Sequence, residues 1–136
     1  MPRILVAGTT EAIEALSELL RDDAELVLAR SVREALDLFD PRIDLVVCNV
    51  RFDESRMFDF VLALRQKPGG REVGVVSFRI EGAELSARMR SSIRAALEAL
   101  GVHTFVDVAH LSLEYDRSTA LETLRQIILQ AARTGS

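Results

Sequence analysis

The chain has 136 residues, 49% of them hydrophobic and 28% charged, proportions that fit one soluble globular domain over 1–136. Its 17 basic residues are dispersed among 21 acids and the formal net charge is −4, so the basic footprint needed to displace counterions from nucleic acid is absent. No apolar run approaches the roughly 20 residues that cross a bilayer, and Met1–Val6 leads into a strand rather than a signal-peptide core, so a cytoplasmic location with no membrane contact is expected.

Ile4–Ala7 is a short apolar run ending at Gly8, which reads as a buried strand. Thr9 or Thr10 can cap the helix that follows, and Ile13, Leu16, Leu19 and Leu20 give that helix one apolar stripe. Glu25–Ala29 is a second strand. Ser31 and Glu34 have the spacing of a capping box, and Val32, Ala35, Leu36 and Phe39 form the buried face of a second helix, ended by Pro41. Ile43–Asn49 is a central strand. Within it lies Cys48, the only cysteine, expected to be an inert core thiol. Residues 52–65 read as a loop entering a helix with a broad apolar surface: Phe58, Val61, Leu62 and Arg65 on one face, Met57, Phe60 and Leu64 nearer another. Pro68-Gly69-Gly70 is a turn, and Val73–Phe78 a fourth strand. Leu85, Met89, Ile93, Ala96, Leu97 and Leu100 hold helical spacing up to a stop at Gly101. Thr104–Val108 is a fifth strand, and Leu121, Leu124, Ile128 and Ala131 mark a last helix capped near Ser118 or Thr119.

Five strand–helix repeats predict a three-layer α/β fold with a five-stranded parallel sheet. The order and spacing of the elements resemble the receiver domain of bacterial response regulators, a (βα)5, flavodoxin-like fold. In that family two acids after the first strand hold Mg²⁺, an aspartate after the third strand accepts a phosphoryl group, a Thr or Ser follows the fourth strand and a lysine follows the fifth. Here Gly8 and Thr9 stand for the acids, Asn49 for the phosphoacceptor and Val108 for the lysine; Ser77 fits the fourth-strand place and Phe105 the family's aromatic switch position. An amide carries no charge and forms no acyl phosphate, and Gly8 and Thr9 offer no hard anionic ligand to Mg²⁺. The resemblance therefore implies a pseudo-receiver with no catalytic residues, no metal and no cofactor. Its implied role is phosphorylation-independent protein–protein interaction in bacterial signalling or gene regulation.

The segments 77–101 and 108–118 are longer than the resemblance leads one to expect. They flank the face built from the fourth helix, fifth strand and last helix, where Arg90, Arg94 and Arg125 are expected to be exposed and a homodimer is expected to form. Phe52 and Met57 are candidates to cover the old phosphorylation pocket or to contact a partner. Glu11, Asp53 and Glu54 lie near the strand ends but read as ordinary helix-start and loop acids. His103 and His110 have no Ser or Cys partner at a recognisable spacing. An alternative from another class is a flavodoxin-like module that binds an anion or a flavin at the Gly8–Thr10 turn.

Overall fold

In the computed structural model, which describes residues 1–134, each strand is followed by one or two helical segments. They are β1 (Arg3–Ala7), α1 (Thr10–Leu20), β2 (Glu25–Ala29), α2 (Val32–Leu38), β3 (Leu45–Asn49), α3 (Phe52–Ser55), α4 (Met57–Leu64), β4 (Gly74–Arg79), α5 (Ala87–Ala99), β5 (Thr104–Asp107), α6 (Val108–Glu114) and α7 (Arg117–Thr134). The five strands form one parallel sheet in the order β2-β1-β3-β4-β5. The order reverses between β1 and β3, which places a crevice above their carboxyl ends.

Alternation along the strands divides the core in two. Ile4, Val6, Val47 and Phe78 pack against Leu16 of α1 and Leu124 and Ile128 of α7. Leu5, Val46 and Cys48 face the other way, onto Ala35 of α2, Phe60 and Leu64 of α4 and Leu97 of α5. Because β1 and β3 are covered on both faces, they read as continuous apolar runs. Burial pushes the Cys48 thiol above its ordinary range, so it stays protonated and unreactive.

The predicted caps form in part as expected. Thr9 Oγ1 accepts from the Ala12 N–H at 3.3 Å, and Ser31 Oγ accepts from the Glu34 N–H at 3.0 Å. Glu34 reaches back to the N–H of Arg30. Gly101, at φ +76, terminates α5 in a conformation that favours glycine.

Several boundaries differ from the sequence reading. Helix α2 stops at Leu38, and Phe39 is buried from an extended backbone, because the chain straightens ahead of Pro41. The last helix begins at Arg117, and its first turn is capped by Asp116, whose Oδ1 accepts from the Thr119 N–H at 2.7 Å; Ser118 and Thr119 lie inside it. The fifth strand ends at Asp107, and Val108 opens the additional helix α6. In α4, Val61 joins Met57, Phe60 and Leu64 in the core, while Phe58 is half-buried and Leu62 is exposed. Helix α5 lies on the sheet more loosely than its apolar spacing suggests: Leu97 is its only buried residue, and Met89 is 53% exposed.

Candidate functional site

A cleft of about 390 Å³ opens at the carboxyl ends of β1, β3 and β4. Asn49, the last residue of β3, lines it and is only 3% exposed. Its Oδ1 accepts from the backbone N–H of Arg51 at 2.9 Å, which fixes the orientation of the amide. The amide nitrogen has no hydrogen-bond partner among the described residues. Gly8, under the cleft, serves a packing need: a Cβ there would stand 3.1 Å from Cβ of Ala12 and 3.4 Å from Cβ of Asn49. Glycine thus lets α1 approach β3 closely. Thr9 reaches the cleft, although its hydroxyl also caps α1.

Glu11, Glu54 and Glu81 also line the cleft, together with Arg51 and Ser55. Among the described residues, no group of three or more His, Cys, Asp and Glu side chains is gathered closely enough to hold a metal ion. Asp53 faces elsewhere. Its Oδ2 accepts from the Val32 N–H at 2.8 Å at the start of α2 and pairs with Arg56 at 3.6 Å. Residues 53–55 form a left-handed turn, with φ of 46° at Asp53, 57° at Glu54 and 66° at Ser55. Three consecutive non-glycine residues there cost about 1–2 kcal/mol each, offset by the Asp53 bonds and by burial of Phe52 before the turn.

Phe52 and Met57 do not cover the cleft or present themselves to a partner. Both are fully buried on the α2–α4 side. Phe52 packs edge-on against Phe60 at 5.4 Å, and Met57 Sδ accepts from Ser77 Oγ at 3.0 Å. Ser77 therefore lies within β4, beside Cys48 and Phe105, rather than after the strand, and it does not line the cleft.

Arg79 terminates β4 instead. Its Nη1 donates to Asp107 Oδ1 of β5 at 3.0 Å, with side-chain exposures of 6% and 3%, and its Nη2 donates to the carbonyl of Ala83. The same Asp107 oxygen accepts from the His110 N–H and caps α6, while Oδ2 is buried without a partner. Glu84 then pairs with His110 at 2.6 Å and with Arg90 at 3.2 Å. The two lengthened segments thus close on each other over the ends of β4 and β5. The sequence reading missed this network; its visible signals were an arginine at the end of an apolar strand and an aspartate at a helix-capping position. Val108, where the resemblance calls for lysine, has no exposed surface and packs into the α1–α7 core.

Phe105 is buried, with the Arg94 guanidinium 5.4 Å above its ring. The three arginines do not share an exposed face. Arg90 is largely covered and also bonds the Leu85 carbonyl. Arg125 pairs with Asp23, before β2, at 2.7 Å and with Glu122 at 3.0 Å, so it points towards the opposite edge of the sheet. Only Arg94 is exposed beside β5. His103 is exposed at the start of β5, remote from the cleft.

No family model matches the chain, and no curated protein matches it in sequence. Solved structures do match in three dimensions. The chemotaxis response regulator CheY4 of Vibrio cholerae shares 20% identity over 93% of this chain and 98% of its own, with a TM-score of 0.66. The receiver domain has this chain's fold. The non-phosphorylated HemR receiver domain of Leptospira biflexa gives 24% identity over 89% of this chain and 94% of that one, at 0.63. A response regulator from Hahella chejuensis gives 18% over 97% and 95%, at 0.69. At these identities the likeness concerns the fold, and the cleft must be judged on its own residues. Among the described residues, no helix is long and apolar enough to cross a membrane.

Proposed function

We propose that this receiver-fold domain is a pseudo-receiver: it takes up no phosphoryl group and acts as a protein–protein interaction module in bacterial signalling or gene regulation. The observation that carries this reading is Asn49 at the end of β3, an amide whose oxygen is committed to the Arg51 backbone. Around it, Gly8 and Thr9 rather than acids directly follow β1, Val108 offers no cation, and Arg79 is neutralised by Asp107. Phosphoryl transfer works by positioning and charge neutralisation, and neither is supplied here.

The surface that best supports a partner is α5 with the neighbouring edge strand β5, where Met89 and Arg94 are exposed. A homodimer through this edge is the proposed assembly. Intact-mass measurement with acetyl phosphate and Mg²⁺ tests the first half: the mass should not change, and stoichiometric gain of one phosphoryl group refutes it. Light scattering over a concentration series, with Arg94→Glu as the disrupting variant, tests the second. A monomer at every concentration removes the dimer.

A further inference from the structure

We propose that the cleft above Asn49 binds a small cationic α-amino acid, of the chemistry of arginine, lysine or ornithine. The inference goes beyond the interaction role and does not depend on it. Its first support is the floor of the cleft. Asn49 is 97% buried by its 3% exposure, yet its amide nitrogen is unpartnered in a residue that lines the cavity. The bond from Arg51 N–H to Oδ1 determines which end of the amide remains free, so the floor offers a fixed N–H donor.

Arg51 supplies the second support. Its guanidinium makes no hydrogen bond or ion pair among the described residues, although it lines the cleft. It lies beside Arg79: a Cβ built on Gly82 would be 3.7 Å from Arg51 Nη1 and 2.8 Å from Arg79 Nη2. Asp107 is ion-paired with Arg79, whereas Arg51 makes no ion pair among the described residues. Asn49 and Arg51 together suit a carboxylate, which takes hydrogen bonds from an amide and from a guanidinium.

Glu11, Glu54 and Glu81 are the third. All three are exposed, line the same cleft and make no ion pair. Three carboxylates against one guanidinium make the lining anionic. This disfavours a phosphate dianion and suits a ligand with two cationic groups and one carboxylate. The acids are too dispersed for a metal ion, but a flexible diamino chain can reach more than one of them. A volume of about 390 Å³ accommodates such a molecule.

The test uses the intact chain in thermal-shift and calorimetric titrations with L-arginine, L-lysine and L-ornithine at millimolar concentration. Butylamine, acetate, inorganic phosphate and Mg²⁺ serve as single-charge probes. At least one amino acid should bind saturably and raise the melting temperature by several degrees near saturation; the single-charge probes should not. Arg51→Gln and Glu81→Gln alter unpaired side chains and should leave the ligand-free melting temperature unchanged. Each should weaken binding about tenfold, at opposite ends of the ligand. No response to any of the three amino acids overturns the proposal. So does an affinity unchanged in both variants, or an equal response to butylamine, phosphate or Mg²⁺.

Discussion

Replacing Arg79 with methionine isolates the buried pair at the ends of β4 and β5. The methionine chain approximates the arginine stem, so lost packing is small and the change is chiefly electrostatic. Asp107 then remains 3% exposed at its side chain, with the His110 N–H as its one described hydrogen-bond donor and Oδ2 still unpartnered. Removing one member of a buried ion pair costs about 3–5 kcal/mol because it strands the other charge. For a domain of this length each kcal/mol shifts the melting temperature by roughly 3–4 °C, so a fall of about 10–20 °C is expected. Calorimetry and urea unfolding at neutral pH measure it. Adding Asp107→Asn removes the stranded charge but keeps a side chain able to cap α6, and should recover about half of the loss. A single-variant loss below about 1 kcal/mol, the range of an exposed pair, refutes the reasoning.

Arg65→Met should cost about 2–3 kcal/mol in urea unfolding, because the guanidinium donates to four carbonyls, those of Gly70, Val73, Leu100 and Gly101, and ties α4 to the ends of its neighbours. Gly70→Ala should be more damaging, at more than about 3 kcal/mol, since a Cβ there would fall 1.8 Å from the Leu64 carbonyl oxygen; soluble expression and melting temperature report it. Asn49→Asp should gain no stable phosphoryl group from acetyl phosphate by intact mass, because Gly8, Thr9 and Val108 remain. The Asp116 carboxyl is held below its ordinary value by the Thr119 hydrogen bonds. Its stabilising contribution to the start of α7 is therefore present above the ordinary aspartate range and lost as pH falls through the lowered value; amide exchange at residues 117–120 should rise there and not before.

The sheet was legible because burial on both faces writes continuous apolar runs, as in Leu45-Val46-Val47-Cys48. The helix caps at Thr9 and Ser31 were legible because they are local chemistry. What escaped depended on distant partners. Phe52 and Met57 follow the β3 end in sequence, but the left-handed turn at 53–55 sends both inward, and no glycine announces that turn. Arg125 has helical spacing suited to exposure, yet Asp23, 102 positions away, captures it. The extension of β4 to Arg79, beyond the apolar run that ends at Phe78, rests on a distant residue, since an arginine is tolerated in the core only with Asp107 from β5 beside it. Asn49 was legible in position, as the last residue of the third strand.

The burial of Val108 ties position 108 to the scaffold rather than to the cleft. Here position 108 opens a helix whose first residue is enclosed by the α1–α7 core. A lysine introduced there would bring its ammonium into a dry apolar layer and lower the stability of the chain. An acid at 49 would also lose solvent, since Asn49 is only 3% exposed, and would face Glu11, Glu54 and Glu81 across the cleft. Position 108 is therefore read out by stability and position 49 by what the cleft binds.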